Sequence, residues 1–317
     1  MTDTTRRPLV TFALFAYNQE QYIRTAVEGA LAQTYEPMEI ILSDDCSTDQ
    51  TLEIIQKMVA AYAGPHDLRV RCNKTNMGIA AHVNAVMHCA RGEIVLIAAG
   101  DDISLPERTA ISVEYLKNYP RATAVLLSSE IIDHAGIKIG ERILKAEKYP
   151  DGQQTLDDLL AWRHVTFGAT RALRRDVYNR FGPLKESCPT EDTPLLLRSL
   201  LCGTNIISCR KGVRYRRHAD NLSSIASIKK MTISEIYKQY EEDTRVALIS
   251  KTISHVRAEK VLKWTARDME LRQLRLTLAA KNKKKLKATL LAVSHPATSF
   301  REKIRLLFAY CSSILRA

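Results

Sequence analysis

Two pairs of adjacent carboxylates flank apolar runs of the chain. Asp101 and Asp102 follow the run Glu93–Ala99, and Glu191 and Asp192 precede a second run. Adjacent carboxylates repel one another unless a cation neutralises them, and their oxygens suit a hard ion such as Mg²⁺ or Mn²⁺. The second pair alone would be assigned to a helix N-terminus, where the helix dipole favours acidic residues. The first pair is therefore the better candidate for a metal site.

Polar turns follow each of the first four predicted strands. They are Ala16–Glu20, Ser43–Asp49, Asn76–Gly78 and Gly100–Asp102. One such turn is weak evidence, because Asn, Asp, Ser and Gly are common in turns anyway. All of them together place polar groups at the carboxyl ends of strands, which is where α/β sheets bind ligands. This clustering suits a nucleotide diphosphate.

The elements that carry these turns alternate regularly. Strands are predicted at 9–17, 38–44, 68–73, 93–99 and 122–129, and helices up to about 33 and at 48–62, 79–90 and 106–119. Short apolar strands alternating with longer amphipathic helices predict βαβ units and a mainly parallel sheet in an α/β fold.

The chain after Asp133 is less regular. Val165–Arg171 is predicted to return to the sheet, and a helix is predicted from near Glu191 with Thr190 as its N-cap. Ile206–Ser208 and Val213–Arg217 are predicted as short strands. Helical periodicity dominates from residue 229 onward. We therefore predict a first domain at 1–227 and a basic helical C-terminal extension at 228–317.

Five segments in order resemble one known family. They are AYNQEQYI, SDDCSTDQT, NMGIAAHVNAVMHCARGEIVLIAAGDD, EDTPLLLRSLLCG and YRRHADNLS, and they span about residues 8–225. The set resembles the inverting GT-A-fold glycosyltransferases of the large family that makes bacterial polysaccharides, glycosyltransferase family 2. The resemblance implies metal-assisted direct displacement, with Mn²⁺ or Mg²⁺ as cofactor. A sugar would pass from a UDP- or dTDP-sugar to a saccharide or lipid-linked acceptor with inversion.

The resemblance also implies a donor site. Asp45 would accept a hydrogen bond from N3–H of a uracil or thymine ring, a donor that cytosine lacks. Tyr17 and Glu20 would flank the base and ribose. Capping of the next helix is the structural alternative for Asp45, although Thr48 suits that role better. The other donor-binding residues implied are Asn18, Asn76, Gly78, Asp101, Arg216 and Arg217.

The metal motif of the family corresponds to Asp101 and Asp102, with Asp101 expected to coordinate the ion directly. His218 is implied as a ligand of the metal or of the pyrophosphate, and a neighbouring arginine would offset phosphate charge. The common motif has an acidic residue two positions before the metal-binding Asp, where this chain has Ala99. That departure removes one ribose or metal contact.

The base motif of the family corresponds to Glu191 and Asp192. In an inverting displacement a carboxylate takes the proton of the acceptor hydroxyl while its oxygen attacks the anomeric carbon. Asp192 would be this base, and Glu191 would orient it or the acceptor. Arg163, His164 and Phe167 fall where family members build the acceptor side.

The net charge is unevenly distributed along the chain. Residues 229–317 carry 20 Lys and Arg and 8 Asp and Glu, which accounts for the whole excess of +12. Residues 301–316 form an amphipathic helical pattern, and with the lysines from 281 onward they predict attachment of 281–317 to an anionic membrane surface. Packing on the domain, or on a second subunit in a homo-oligomer, is the alternative.

Composition restricts the location. Seven cysteines without a CxxC pair are typical of reduced thiols. The N-terminus lacks an apolar signal core, and no apolar stretch reaches about 20 residues. We expect a cytoplasmic protein, with peripheral attachment to the plasma membrane through its tail.

Several other functions fit the sequence less well. A sugar-1-phosphate nucleotidyltransferase needs a glycine-rich loop, and Ala13–Glu20 contains no glycine. A Rossmann dehydrogenase needs GxGxxG after its first strand. A nucleic-acid partner is not expected, since the tail lacks interleaved aromatic residues and the first 228 residues carry no net charge. Ala99 leaves open a degenerate protein that binds a nucleotide sugar without turnover.

Overall fold

The protein forms a ten-stranded mixed sheet covered by helices on both faces. The structure, a computed structural model, describes residues 6–218, 221, 231–279, 293–295, 298 and 303, and for 274–279 the backbone alone. The strands are β1 Val10–Ala16, β2 Met38–Asp44, β3 Asp67–Cys72, β4 Ile94–Ala99, β5 Ile103–Ser104, β6 Ala122–Ile132, β7 Lys138–Arg142, β8 Gln153–Gln154, β9 Ala172–Arg174 and β10 Thr204–Arg216. The helices are α1 Ile23–Leu31, α2 Thr51–Ala60, α3 Ile79–Cys89, α4 Arg108–Asn118, α5 Leu156–Leu160, α6 Arg175–Phe181, α7 Asp192–Cys202, α8 Ile233–Ile249 and α9 His255–Ala279.

The sheet has the order β3-β2-β1-β4-β9-β6-β10-β5, with β7 beside β6 and β8 beside β10. Strands β3, β2, β1 and β4 are parallel neighbours, as are β6 and β10. Strand β9 runs antiparallel between β4 and β6 and joins the two parallel parts. The predicted α/β fold with a mainly parallel sheet is confirmed.

Successive side chains of the central strands point to opposite faces of the sheet, so the core consists of two layers. Phe12 and Leu14 of β1 pack with α1, α2 and α4 on one face of the sheet. Ala13 and Phe15 pack with α3, α6 and α7 on the other. Both faces of β1 are apolar because both are covered, as expected for a central parallel strand.

The second half of the chain departs from the prediction at two strands. The predicted return to the sheet over Val165–Arg171 is wrong: the chain forms a 3-10 turn at Gly168–Thr170, and only Ala172–Arg174 pair with the sheet. The two predicted short strands near the end of the sheet are one strand, β10. Its pairing with β6 shifts register between Ile207 and Val213. This irregularity interrupts the alternation of apolar residues in the sequence, which is why two strands were predicted.

The first turn of α7 also differs in detail. Glu191, not Thr190, occupies the N-cap position. The Thr190 hydroxyl nevertheless accepts a hydrogen bond from the backbone N–H of Asp192 at 3.3 Å. Thr190 therefore helps to fix the first turn from one position upstream.

Helices α8 and α9 pack against the same core layer as α7. Ile236 and Tyr240 of α8 and Val261 and Trp264 of α9 belong to one buried cluster with Leu196 of α7. The predicted domain boundary at 227 and nearly all of the predicted membrane segment 281–317 lie outside the described residues. Among the helices that the structure does describe, none is long and apolar enough to cross a bilayer.

A buried ion pair ties α7 to α8. Arg198 donates from Nε to Asp243 Oδ2 at 2.9 Å, and its Nη2 lies 2.9 Å from Asp243 Oδ1. Gln239 donates to the same carboxylate at 2.9 Å. Burial raises the pKa of Asp243, whereas Arg198 lowers it. Desolvation thus offsets much of the attraction, and we infer that the pair fixes the alignment of the helices more than it adds net stability.

Asp243→Ala should lower the free energy of unfolding by about 3–5 kcal/mol, because it leaves the Arg198 charge buried without its partner. Glu242→Ala, on the same helix, removes an exposed pair with Arg245 and should cost at most about 1 kcal/mol. Urea unfolding of both variants measures the difference. Equal losses would contradict the role assigned to the buried pair.

Candidate active site

Three parallel strands end at the same edge of the sheet. Ala16 at the end of β1 pairs with Asp44, and Phe15 pairs with Ala99 at the end of β4. The turns that follow, with Tyr17, Asp45 and Asp101, therefore lie side by side. This arrangement agrees with the edge predicted for the polar turns.

Asp45 holds the loop between β3 and α3. Its Oδ1 accepts hydrogen bonds from Asn73 Nδ2 at 2.6 Å and from the Met77 N–H at 2.9 Å, and its Oδ2 accepts one from the Gly78 N–H at 3.0 Å. Gly78 has φ +76°, a conformation that favours glycine. Helix α2 begins after Gln50, so Asp45 does not cap it. The buried carboxylate retains acceptor capacity on Oδ2 for a further donor.

Asn18 and Glu20 bind the turn between β2 and α2. Asn18 Oδ1 accepts from the Thr48 N–H at 2.8 Å, and Glu20 Oε2 accepts from the Gln50 N–H at 3.0 Å. Tyr17 is 45% exposed. Asn76, also exposed, lies in the loop that Asp45 holds. The polar turns thus support one another, and they leave Tyr17 and Asn76 facing solvent.

Asp101 and His218 meet at the end of β4. His218 Nε2 lies 2.8 Å from Asp101 Oδ2, and Asn221 Nδ2 donates to the same oxygen at 3.2 Å. Tyr22 packs against the imidazole with ring centroids 4.9 Å apart. Two of the three residues predicted as metal ligands, Asp101 and His218, are therefore brought together from distant parts of the sequence.

Asp102 is buried behind this pair. Its Oδ1 accepts from the Arg216 N–H at 2.8 Å, while Oδ2 has no hydrogen-bond partner among the described residues. Burial, and then the charge of Asp101, raise the pKa of Asp102 well above its ordinary value. Arg108 lies near enough to oppose this effect, and burial lowers its own pKa to about 10. The geometry favours Asp101 over Asp102 for direct contact with a ligand.

The Arg216 side chain is occupied by the protein itself. Its Nε donates to the Asp101 carbonyl at 2.8 Å, its Nη1 donates to the carbonyls of Asp133 and His134 at 3.1 Å, and the guanidinium lies 4.8 Å from the Tyr22 ring centroid. Arg216 thereby positions the Asp101 turn.

The chemistry of these groups fits a divalent ion. Within the described residues no group of three or more His, Cys, Asp or Glu side chains is arranged to hold a metal alone. Mg²⁺ commonly uses one or two protein ligands together with substrate phosphates and water. The Asp101 oxygen and the His218 nitrogen fit that pattern, which requires a phosphate-bearing substrate to complete the coordination.

Asp192 lies beside a buried arginine. Arg171 is fully buried, and its Nη2 is 2.7 Å from Asp192 Oδ1, whereas the Asp192 side chain is 27% exposed. The angle of approach makes this contact an ion pair and not a hydrogen bond. Arg171 N–H also donates to Gly168 O at 2.9 Å. The carboxylate therefore has one side against a fixed cation and the other toward solvent.

Gly168 makes room for Asp192. A Cβ atom at position 168 would lie 2.9 Å from Asp192 Cγ. Arg171, three residues further, accepts at its carbonyl a hydrogen bond from the Ile97 N–H of β4 at 3.0 Å. Because β4 leads to Asp101, this contact places the Arg171 segment, which holds Asp192 through its side chain, beside the strand that leads to the Asp101–His218 pair.

Glu191 is partly buried next to Asp192. Desolvation, followed by the Asp192 charge, raises the pKa of Glu191 to about 7, and Arg171 opposes the shift. Two adjacent carboxyl groups thus differ: Glu191 holds its proton at mildly acidic pH, and Asp192 faces a buried cation. The arrangement suits one carboxylate as a proton acceptor beside a carboxyl that can donate a hydrogen bond.

The three residues predicted for the acceptor side have different surroundings in the structure. Phe167 adjoins Gly168 and contacts Tyr215, with ring centroids 5.4 Å apart, and Arg142 lies 4.0 Å above its ring. Arg163 is exposed and pairs with Asp158 at 3.2 Å. His164 is mostly buried, and burial lowers its pKa. Of the three, Phe167 lies closest along the chain to the Asp192 contact.

Arg217 lies on the opposite side of the strand from Arg216 and His218. Adjacent residues of an extended chain point to opposite faces. Arg217 therefore lies on the same face as Tyr215. Burial lowers the pKa of Arg142, and the positive charge of Arg217 lowers it further. It is directed away from the Asp101–His218 pair.

Sequence patterns did not reveal Arg171, Arg142 or Tyr22. Arg171 stands among several arginines in RALRR, and nothing local distinguishes the one that faces Asp192. The faces of Arg216 and Arg217, in contrast, could have been assigned from the two-residue period of the strand.

The sheet topology and the strand-end carboxylates define an α/β protein of the GT-A class. The profile described as Glycosyl transferase family 2 matches residues 11–182, and the chain belongs to this family.

Individual relatives support the same assignment. The chain is 33% identical over 111 residues to the Escherichia coli UDP-Glc:alpha-D-GlcNAc-diphosphoundecaprenol beta-1,3-glucosyltransferase WfaP, a match that covers 34% of this chain and 41% of WfaP. The chain spans only about a third to a half of the length of further curated relatives that it matches, 36% and 50% in two cases.

Two solved structures share the fold. Staphylococcus aureus TarS 1–349 in complex with UDP-GlcNAc superposes with a TM-score of 0.64 at 17% identity, covering 95% of this chain and 87% of TarS. The Pyrobaculum calidifontis mannosyltransferase PcManGT, in complex with GDP-Man and Mn²⁺, superposes with a TM-score of 0.54 at 17% identity, covering 98% and 88%. At these identities the likeness establishes the fold.

Gly168→Ala should lower the free energy of unfolding by about 1–3 kcal/mol, because the added methyl group overlaps Asp192. Gly140→Ala is a matched control, since its Cβ would meet nothing nearer than 4.0 Å. That variant should be neutral or more stable by up to about 1 kcal/mol. Thermal and urea unfolding of both variants test the prediction, and a stable Gly168→Ala protein would refute the close approach.

Glu191→Gln should stabilise the protein increasingly between pH 4.5 and about 7. The pKa of Glu191 is raised on folding, so the stability that its neutral form contributes is lost as pH rises through about 7. The variant keeps a neutral side chain throughout, and its advantage should reach at most about 3 kcal/mol, since one pKa unit is about 1.4 kcal/mol. Urea unfolding at several pH values measures the difference. A difference independent of pH would contradict the shift.

Proposed function

We propose that this chain is an inverting glycosyltransferase that uses a UDP- or dTDP-sugar and transfers the sugar to a saccharide or lipid-linked acceptor in bacterial surface polysaccharide synthesis. One observation carries the proposal. Arg171, which pairs with Asp192, accepts at its carbonyl a hydrogen bond from the strand that leads to the Asp101–His218 pair. This contact supports a proton acceptor at Asp192 at the same edge of the sheet as a diphosphate site at Asp101.

The donor would bind along the strand ends. Asp45 offers its remaining acceptor capacity to the N3–H of uracil or thymine, and the exposed Tyr17 ring can stack on the base. Asn18 and Glu20 hold the turn beneath the base and ribose, while Asn76 and Gly78 line the adjoining loop. Arg216 would act by fixing the Asp101 turn.

The diphosphate would lie next to Asp101 and His218. A Mn²⁺ or Mg²⁺ ion bound there would neutralise the charge that develops on the departing diphosphate. Asp101 and His218 are the residues that would hold it, and Asp102, buried behind them, supports their turn. Ala99 supplies no oxygen ligand beyond its backbone.

Asp192 would act as the base. It accepts the proton of the acceptor hydroxyl as that oxygen forms a bond to the anomeric carbon and the bond from this carbon to the diphosphate oxygen breaks. Arg171 holds the carboxylate in place. Glu191, with its raised pKa, can donate a hydrogen bond to Asp192 or the acceptor.

Relatives support the choice of donor and acceptor. The name of WfaP gives UDP-Glc as its donor and a GlcNAc-diphosphoundecaprenol acceptor, and TarS has been solved with UDP-GlcNAc. PcManGT, solved with Mn²⁺, supports a divalent cofactor. The membrane-binding role of 281–317 and the cytoplasmic location are further parts of this proposal, since a lipid-linked acceptor would give surface attachment a purpose.

UDP- or dTDP-sugars with Mn²⁺ should raise the melting temperature, and GDP- and CDP-sugars should not, because only a native-state ligand stabilises the fold. Asp101→Asn should abolish the part of the shift that depends on Mn²⁺. No shift with any donor would contradict the proposed site.

Asp192→Asn should retain the donor-induced shift and lose transfer by about 10²–10⁴-fold, the range for a general base. Asp176→Asn removes an exposed carboxylate of α6 and should transfer normally. Transfer is measured as nucleoside diphosphate release with an acceptor preparation. Loss of donor binding in Asp192→Asn would assign this residue a structural role.

A further inference from the structure

Strands β6, β7 and β10 separate their charges onto two faces. Glu130 pairs in register with Glu141 of β7 and Arg214 of β10, so these residues share one face. Lys211 Nζ lies 2.6 Å from Glu141 Oε1, and Lys138 Nζ lies 3.4 Å from Glu130 Oε1. Both acids are therefore already neutralised on that face.

The opposite face carries two arginines, of which Arg142 contacts Phe167. Arg142 and Tyr215 each follow a residue of the first face by one position, so they lie on the other side of the sheet. Arg142 stacks 4.0 Å above the Phe167 ring, and Tyr215 meets that ring from another side. Arg217 lies two residues after Tyr215 on this same face. We call Arg142 and Arg217 the arginine pair.

Asp192 and Asp133, two acids of the neighbouring segments, already have partners of their own. Asp192 is paired with Arg171. Asp133 Oδ1 accepts hydrogen bonds from two backbone N–H groups of its own turn, both at 2.9 Å. Arg142 Nη2 donates to the Thr166 carbonyl at 3.2 Å. Among the residues whose side chains the structure describes, neither Arg142 nor Arg217 forms an ion pair. Neither guanidinium is therefore in direct contact with a carboxylate of the described residues, although the Asp192 charge acts on Arg142 from a distance.

Arg142 is also held in place before any ligand binds. Its guanidinium is fixed by the Phe167 ring below and the Thr166 carbonyl at one edge. A guanidinium fixed in this way loses little entropy on binding and presents its remaining N–H groups as a planar fork. Such forks suit phosphate oxygens, which they bind through paired hydrogen bonds.

We propose that the arginine pair binds a phosphate group of the acceptor, and that the acceptor is a phosphorylated saccharide. This inference rests on the proposed function. Phe167 precedes Gly168, which touches Asp192, so a phosphate on this face lies next to the base that activates the acceptor hydroxyl. Two cations match the double charge of a phosphate better than the single charge of a carboxylate.

The test uses defined probes with the donor site filled by UDP and Mn²⁺. Binding of GlcNAc 1-phosphate, glucuronic acid and GlcNAc to the full chain is measured by calorimetry. GlcNAc 1-phosphate should bind at least about tenfold more tightly than the other two. Equal binding of glucuronic acid, or of neutral GlcNAc, would overturn the assignment of a phosphate site.

Variants locate the site. Arg142→Gln and Arg217→Gln should each weaken GlcNAc 1-phosphate binding about tenfold or more, as the loss of a charged hydrogen bond predicts. Arg214→Gln removes a cation of the same strand from the opposite face and should change binding less than twofold. Equal weakening in all three variants would show a diffuse charge effect and overturn the site. Circular dichroism confirms that each variant is folded.

A fourth probe, a short prenyl diphosphate-linked GlcNAc, distinguishes the source of the phosphate. Tighter binding than GlcNAc 1-phosphate, lost in Arg142→Gln, supports a lipid-linked acceptor, and equal binding supports a phosphate on a soluble or polymeric saccharide. Stabilisation by the UDP-sugar is measured on every variant. If the wild type is not stabilised by any donor, the proposed function fails; if it is stabilised and no phosphate probe binds, only this inference fails.

Discussion

Three arginines, Arg108, Arg171 and Arg198, are the largest fully buried side chains of the described residues, and each must be compensated inside the protein. An arginine does not lose its proton in a protein, so burial requires a carboxylate or several carbonyls close by. Arg171 faces Asp192 and Arg198 faces Asp243. Arg108 is near Asp102 and donates to the Ile97 carbonyl at 2.6 Å. Asp192 and Asp102 thus lie next to positive charges that are buried in the protein.

This constraint connects the C-terminal helices to the site. Helix α7 begins at Asp192 and is held further along by Arg198, whose partner belongs to α8. Helix α9 contributes Asp268, which accepts hydrogen bonds from Trp162 Nε1 at 3.1 Å and from the Tyr237 hydroxyl at 2.7 Å. Residues after 230 therefore help to fix both the helix that carries Asp192 and the segment that leads to Phe167. The described part of the extension is integral to the fold.

The sequence predicted the first half of the fold well because each strand there is apolar and long enough to show its period. Asp45, Asp101 and His218 were recognisable because their motifs are local. The second half was harder. Strand β9 pairs through three residues, and β10 shifts register where it contains Gly212, so neither shows a clean period. The Arg171–Asp192 pair joins residues whose proximity depends on the whole sheet, and no local pattern encodes it.

The residues at the end of β10 and just after it alternate between two sides of the sheet. Arg216 and His218 lie on the side of Asp101, where Arg216 holds the Asp101 turn, and Tyr215 and Arg217 lie on the side of Phe167 and Arg142. In a direct displacement the acceptor hydroxyl attacks the anomeric carbon from one side while the diphosphate departs from the other, so their charges must be compensated at separate places. For the proposed reaction, the residues at the end of β10 meet this requirement through alternation of their side chains. On the proposed reaction, the inversion of configuration and the separation of donor and acceptor charge share the same structural origin.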